Sequence, residues 1–354
     1  MMVGYNVAIL GATGAVGTRM IEQLAQSSIE VASLKLLASK RSAGQTREFK
    51  GRTLIIEEAT PDSFSGVDLV FSSAGGSVSE ALLPEAVKRG AVCVDNTSAF
   101  RMDPAVPLVV PEVNADDLNW HHGIIANPNC STIQMVVALA PIKAQFGLER
   151  VIVSTYQAAS GAGQSAWNEL NTEAQAHLNG ETMDAHILPA KGDKRHFPLA
   201  FNLLPQIDVF EADGYTHEEW KMIHETKKIL LGDMNAKALK VTATCVRVPV
   251  GIGHGETVYF ETSDEAVTAA QIQHALANGA GVVLEDDPAT QTYPTPLTAA
   301  GKRETFVGRV RPDLEVDGAF HMWVVADNLL KGAAWNAIQI GETLVARDLV
   351  RVSA

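Results

Sequence analysis

Cysteine is scarce. Cys93, Cys130 and Cys245 are the whole complement in 354 residues, too few and too widely spaced for a disulfide framework or a paired-thiolate zinc site. A reducing compartment suits such a chain. The longest apolar run, about Ile133 to Ile142, falls far short of a bilayer span and contains Pro141. The opening MMVGYNVAIL lacks the basic segment of a secretory signal, so a soluble, cytoplasmic protein with no membrane partner is expected. No basic patch offsets the net charge of −13, which arises from 41 acidic against 28 Lys and Arg residues. Such a field repels phosphate backbones and argues against nucleic acid. The ten histidines form no metal-ligand cluster, and no metal is expected. No repeat or low-complexity tract occurs, which leaves small molecules as the natural partners.

The remaining composition, 46% hydrophobic and 19% charged, is that of a globular protein, and at about 150 residues per domain the length suits two domains. Strands are predicted at Asn6 to Leu10, Val31 to Ser39, Val67 to Ser73 and Ala91 to Asp95. Helices are predicted at Thr18 to Gln26 and Val78 to Arg89. Strands alternating with helices at this spacing imply an α/β fold, a Rossmann-type parallel sheet wound on both faces. From about residue 130 longer strands dominate, at Val151 to Ala158, Val241 to Pro249 and Thr257 to Thr262, with a polar helix at Trp167 to Asn179. That pattern marks a second, α+β domain. Ala185 to Asp213 reads as an irregular insertion, and Gly332 to Val350 as a terminal helix with Ala333, Ala337, Ile340 and Leu344 at turn spacing. The expected division is residues 1–130, completed by 331–354, against 131–330.

Gly11-Ala-Thr-Gly14-Ala-Val-Gly17 follows a strand and opens a helix. Its backbone N–H groups and the helix N-terminus can face a pyrophosphate; the plain alternative is a structural turn. In an NAD site a carboxylate stands about 20 residues on, at the end of the second strand. Here that stretch is Leu37-Ala-Ser39-Lys40-Arg41-Ser42, with no acid. Arg41 offers paired donors and Ser39 and Ser42 hydroxyls for a 2′-phosphate, which favours NADP. Taken alone, Lys40 and Arg41 also suit an ordinary solvated loop.

Cys130 stands in NPNCST, where proline and asparagine stop what precedes and Ser131 and Thr132 suit a helix start. A helix N-terminus favours the thiolate. Cys93 and Cys245 sit among apolar strand residues and read as buried small hydrophobes. His254 is flanked by glycines in GIGHGE, just after a strand, a setting that allows close approach of a ligand. Arg247, in the middle of an apolar strand, needs an anion; an internal salt bridge and a substrate carboxylate both satisfy that need.

These pieces together resemble the aspartate-β-semialdehyde dehydrogenases over essentially the whole chain. The resemblance rests on an ordered set: GATGAVG, SAFRMD, NPNCST, STYQAASGAG, EEWKMIHETKKI, RVPVGIGHGE and DNLLKGAA. It implies that Cys130 is the acylated nucleophile and His254 the acid/base. Arg247 would clamp the substrate α-carboxylate, Gln157 would orient the substrate, and Arg101 with Asn129 and Lys221 would hold the departing phosphate. The amino contact maps to Glu218 rather than Glu219, because Thr216-x-x-Glu219 is a capping box that already employs Glu219; Glu218 and Lys221 also suit an i,i+3 surface ion pair. Cofactor contacts carry over to Gly11, Thr13, Gly14, Ala15, Val16, Ser39, Arg41, Ser42, Ser160, Gly161 and Asn328. One residue departs from the pattern: Gly255 stands where a serine or other small polar residue follows the histidine, which touches local turn geometry and no catalytic group. The resemblance further implies an NADP-dependent homodimer that converts L-aspartyl phosphate, through a cysteine thioester, to aspartate semialdehyde and phosphate. N-acetyl-γ-glutamyl-phosphate reductase is the nearest enzymatic alternative, although NPNCST lacks the His-Pro-Gly-Cys character of that nucleophile. A non-catalytic homologue would be expected to have lost Cys130 or His254, and both are present.

Overall fold

The computed structural model describes residues 4–352, which form two compact units. One runs to Asn129 and is completed by the segment from Ala333; the other is Cys130–Gly332. The first unit holds strands β1 (Tyr5–Leu10), β2 (Val31–Ala38), β3 (Thr46–Phe49), β4 (Arg52–Glu58), β5 (Leu69–Ser72), β6 (Val92–Asp95) and β7 (Ile124–Ala126). Its helices are α1 (Ala15–Ala25), α2 (Gly76–Lys88) and the short α3 (Pro111–Asn114). The strand order is β3-β4-β2-β1-β5-β6-β7. All pairings are parallel except the β3–β4 hairpin.

Apolar residues on both faces of β1 and β5 follow from cover on both sides of the sheet. Val7 and Ile9 of β1 pack with Met20 and Leu24 of α1 and with Ile338, Ile340 and Leu344 near the C-terminus. Ala8 and Leu10, pointing the other way, pack with Leu83 and Ala86 of α2. The order reverses at β1, so the carboxyl end of this strand is the crevice where an open α/β sheet takes a ligand. There Gly11 adopts φ 89°, and the N–H groups of Gly11 and Ala12 both donate to the Leu37 carbonyl, at 2.8 and 3.1 Å. α1 opens on Gly14 with no side-chain cap and no acid in its first turn. A Cβ on Gly17 would lie 2.1 Å from the Gly11 carbonyl oxygen, so glycine is what lets the helix start on top of the turn. The hairpin, which the hydrophobic pattern does not announce, turns at Lys50 and Gly51 with φ of 46° and 77°; its outer strand is exposed and short of apolar residues.

The second unit holds α4 (Cys130–Phe146), β8 (Arg150–Gln157), α5 (Gln164–Leu178), α6 (His217–Leu231), β9 (Lys240–Arg247), β10 (His254–Glu261), α7 (Ala269–Ala277), β11 (Val282–Leu284), α8 (Pro296–Ala299), β12 (Thr305–Pro312) and β13 (Ala319–Ala326). Its mixed sheet runs β11-β12-β13-β10-β8-β9, with α4 packed on β10, β12 and β13 and α6 on β9. Period-two burial decides which side chains face the helices. On β8 these are Val151, Val153, Thr155 and Gln157; on β9 they are Ala243, Cys245 and Arg247; on β10 they are His254, Glu256, Val258 and Phe260. Gln157 and Arg247 are register partners at the ends of parallel strands. Between α5 and α6 the described chain carries no helix or strand, as its prolines and scattered charge predict. After the π-helical turn Leu330–Ala334, α9 (Trp335–Ala346) returns to the first unit.

Most predicted boundaries move by one to three residues, and α1 and α5 each begin three residues earlier than predicted, at Ala15 and Gln164; two of the shifts bear on the site. β9 stops at Arg247, before Pro249, and β10 begins at His254 instead of Thr257. Gly253, at φ 96°, makes the turn, so His254 is the first residue of a strand and not a member of a glycine loop. Gly255 is likewise in the strand, opposite Val325, and a Cβ there would lie 2.3 Å from the Trp323 ring. The missing side chain is thus compensated by a large aromatic. Replacing it, Gly255→Ser, is expected to overpack the sheet and cost about 1–3 kcal/mol in urea denaturation, with much of the loss recovered in the Gly255→Ser/Trp323→Leu double variant. Equal destabilisation of the single and double variants would refute the pairing.

Candidate active site

α4 begins at Cys130, and the thiol lies 3.2 Å from Nε2 of His254. The histidine is held on three sides. Its Nδ1 accepts the Ala158 backbone N–H at 3.0 Å, its carbonyl accepts from the Gln134 amide at 3.3 Å, and the preceding Gly253 N–H donates to Asn328 Oδ1 at 2.9 Å. The Asn328 amide nitrogen in turn donates to Ser160 Oγ at 3.0 Å, so Ser160 and Asn328 brace the histidine turn. His254 is completely buried. Burial, helped by the nearby Arg247 guanidinium and opposed by Glu218, brings its pKa down to about 3; the imidazole is neutral. Gly332 passes so close to the nucleophile that a Cβ would sit 2.8 Å from that of Cys130. The other two thiols are unreactive by position: burial pushes both Cys93 and Cys245 up.

Arg247 is 3% exposed. One Nη1 donates to the Ala158 carbonyl at 2.9 Å, while Nε has no partner. Among the described residues no carboxylate comes within ion-pair reach of it, so the internal salt bridge open at the level of sequence is absent. A buried guanidinium with an unmet donor is a site for an anion. Space for one is provided at Gly161, where a Cβ would lie 2.9 Å from Arg247 Nη1 and 3.3 Å from His254 Nε2.

Beside it, Gln157 donates to Glu218 at 3.1 Å. Glu218 also meets Lys221 at 3.3 Å, and Lys221 pairs with Asp208 at 2.7 Å. The i,i+3 pair therefore exists, yet it is largely buried and extended by a third charge. Asp208 comes from the irregular insertion, where no motif marks it. The capping box forms as predicted: Thr216 N–H donates to Glu219 at 2.8 Å and Thr216 Oγ1 accepts from Glu219 N–H at 3.3 Å. The other Glu219 oxygen accepts the Cys245 N–H at 3.0 Å, which leaves Glu218 as the acid turned toward Gln157.

In the first unit, Arg101 is anchored by two backbone carbonyls, Nε to Asn127 at 2.9 Å and Nη2 to Asn96 at 2.7 Å. Asn129, the residue before the cysteine, is buried. Ser39 and Arg41 are exposed beyond β2 and Ser42 is buried in the same short turn. The open start of α1 with Thr13, Gly14, Ala15 and Val16 fits the pyrophosphate of a dinucleotide, since no side chain caps it and no acid opposes the charge.

Two family matches cover most of the chain: semialdehyde dehydrogenase, NAD binding domain, at residues 6–121, and semialdehyde dehydrogenase, dimerisation domain, at 139–331. An aspartate-semialdehyde dehydrogenase of Bacillus subtilis is 57% identical over 98% of this chain and 99% of its own. The chain belongs to the aspartate-semialdehyde dehydrogenase family. It is an oxidoreductase of amino-acid biosynthesis with a nicotinamide-nucleotide-binding domain. A crystal structure of the Vibrio cholerae enzyme II complexed with ASA superposes with TM-score 0.90 at 44% identity, covering 97% of this chain and 99% of that one. The Candida albicans enzyme with NADP superposes at 0.75 and 26% identity, covering 98% and 100%. No helix among the described residues is long and apolar enough to cross a membrane.

Among the buried acids without a predicted role, one lies next to the site. Glu256 is completely buried two residues beyond His254, and neither carboxyl oxygen meets a partner at hydrogen-bond geometry, although the Gln134 amide lies nearby. Burial raises its pKa well above 4.5. The folded protein then keeps a proton that the unfolded chain loses above about pH 4.5, so this contribution to stability is full at low pH and declines as pH rises. Glu256→Gln, neutral at every pH, is expected to raise the urea midpoint at about pH 8 and leave it unchanged at about pH 4. A lower midpoint at the alkaline pH would show a charged, paired carboxylate instead.

Proposed function

We propose that this protein catalyses the NADPH-dependent reductive dephosphorylation of L-4-aspartyl phosphate to L-aspartate-4-semialdehyde through a Cys130 thioester, as a cytoplasmic homodimer that serves lysine, diaminopimelate, methionine, threonine and isoleucine biosynthesis. The observation that carries this reading is the approach of a helix-start cysteine to a buried histidine beside a buried arginine that lacks an anion. The thiolate is both a strong nucleophile and a workable leaving group, so it divides one difficult displacement into two easier ones. Backbone N–H groups at the start of α4 stabilise the oxyanion that forms on the acyl carbon. When bound, NADPH supplies the hydride that reduces the thioester.

Arg247 takes the α-carboxylate and Glu218 the α-amino group, opposite charges that suit the two ends of an amino-acid substrate. Gln157, fixed by Glu218, orients the acyl group. Lys221, paired with Asp208 and Glu218, joins Arg101 and Asn129 in holding phosphate. Arg41, with Ser39 and Ser42, receives the 2′-phosphate in a stretch without an acid, and the Candida albicans relative is described with NADP. Gly11 to Val16 hold the pyrophosphate, while Ser160, Gly161 and Asn328 complete the nucleotide contacts. The dimerisation-domain match at 139–331 supports the homodimer. Nothing favours N-acetyl-γ-glutamyl-phosphate reductase over this reading.

The direct test follows nucleotide reduction with L-aspartate-β-semialdehyde and phosphate, beside N-acetylglutamate-γ-semialdehyde, with NADP and with NAD. Turnover is expected for the aspartate compound with a higher kcat/KM for NADP, and none for Cys130→Ala that still folds and binds NADP. Retention of turnover in that variant would remove the thioester from the mechanism. The clamp is tested by Arg247→Lys, because a compact ammonium cannot reproduce the guanidinium fork. The variant is expected to fold and bind NADP normally yet lose on the order of 2–4 kcal/mol of transition-state stabilisation in kcat/KM. A lowered Tm with near-normal kinetics would make Arg247 structural.

A further inference from the structure

α4 carries the nucleophile and β10 carries the histidine, and one side chain joins them. Gln134 lies a helical turn beyond Cys130 on α4 and donates its amide to the His254 carbonyl at 3.3 Å. It is completely buried, as is Glu256 two residues further along β10, and α4 packs on β10. Oε1 of Gln134 and both carboxyl oxygens of Glu256 meet no hydrogen-bond partner among the described residues. Each buried polar atom left in that state costs free energy. The three become complementary once a single proton is counted. A carboxylic acid has one O–H donor and one C=O acceptor, and a carboxamide has the matching acceptor and two N–H donors.

We propose that Glu256 and Gln134 form a two-point acid–amide pair that positions His254 against Cys130. The Glu256 O–H donates to Gln134 Oε1, one Gln134 N–H donates back to the Glu256 carbonyl oxygen, and the second N–H keeps its bond to the His254 carbonyl. Both side chains then have partners for every polar atom, and the amide cannot turn away from the histidine. Because the two act through the backbone of His254, they are positioning residues. The pair itself stands on the burial and complementarity of the two side chains, whereas its effect on turnover rests on the thioester reaction proposed above.

A carboxylate could not close this arrangement. It lacks the donor that Gln134 Oε1 needs, and only one amide N–H remains to serve its two oxygens. No cation among the described residues offsets such a charge. The register partners of Glu256 are Val324 of β13 and Thr155 of β8, both uncharged. Cys245 of β9, next along the row, is kept protonated by burial, and His254 on the same face of β10 is neutral. From α6, Glu218 and Glu219 bring only negative charge to this row, and from α4 the facing group is Gln134 itself. Burial thus acts on the carboxyl opposed by the Gln134 amide alone, and the proton the pair requires is the one burial retains.

Infrared spectroscopy of protein carrying isotope-labelled glutamate reads the pair directly. A protonated-carboxyl band is expected that is lost in Glu256→Gln, persists from about pH 6 to 8 and shifts in Gln134→Leu. A missing band, or one that Gln134→Leu leaves unmoved, would overturn the pair; Gln134→Met, equally unbranched, takes the place of Gln134→Leu if that variant does not fold. Kinetics with L-aspartate-β-semialdehyde, phosphate and NADP then test what the pair does. Gln134→Leu is expected to lose about tenfold to a hundredfold in kcat with KM little changed, as misplacement of a reacting group does. Glu256→Gln, whose carboxamide offers the same donor and acceptor, is expected to keep kcat within about twofold. The exchange Gln134→Glu/Glu256→Gln separates position from stability, since it rebuilds the acid–amide pair but leaves no N–H for the His254 carbonyl. It is expected to recover most of the urea stability lost in Gln134→Leu while its kcat stays as low; no recovery of stability would count against the pair. Wild-type kcat in Gln134→Leu, a Glu256→Gln as slow as Gln134→Leu, or activity that returns with stability in the exchange would overturn the positioning role. If the wild-type protein fails to turn over the semialdehyde, the proposed function falls, and the infrared band still decides the pair.

Discussion

Burial of charge in the absence of water is the constraint from which the second unit's site follows. Arg247, His254, Gln157 and Glu218 are all removed from solvent, and each must find its hydrogen bonds inside the protein. The Ala158 peptide answers two of these needs at once, donating to one side chain and accepting from the other. It can do so because β8 has ended and its backbone groups lie outside the sheet. The strand end is thereby converted from a structural boundary into a fixed dipole between an imidazole and a cation.

The needs that stay unmet carry as much information as those that are satisfied. An orphaned donor on a buried guanidinium costs free energy that no local contact returns, so Arg247 Nε marks the direction from which a ligand anion can restore the balance. Glu256 is orphaned in the opposite sense, as an acid that avoids its charge by keeping its proton. The first is a feature a substrate can complete. The second is completely buried, and the cost it carries is read in stability as a function of pH.

Much of this was legible in the chain wherever local chemistry decides the outcome. The glycine turn after β1, the helix that starts at Cys130 and the capping box that separates Glu219 from Glu218 all depend on residues within a few positions of one another. What stayed hidden depends on long-range placement. Whether Arg247 meets an acid cannot be read from its strand, since the answer lies in which carboxylates the fold brings near. Asp208 has no motif because its partner Lys221 is on another element. Ala158 leaves no signal at all, as its contribution is entirely backbone. The start of β10 moved because glycines on both sides of His254 suggest a loop, whereas cross-strand pairing with β13 takes one of them, Gly255, into the sheet.

The glycines around the site separate into two kinds once the space beside each is considered. At Gly255 the volume a side chain would fill is already taken by Trp323, so the residue reports packing and the pair can drift together without touching chemistry. At Gly161 the neighbouring atoms are the guanidinium of Arg247 and the ring of His254. A methyl there would displace no core residue; it would stand between the cation and the imidazole. Two glycines of equal permissiveness in sequence thus differ by what their absent side chains would strike, the buried cation and imidazole in one case and an aromatic of the sheet in the other.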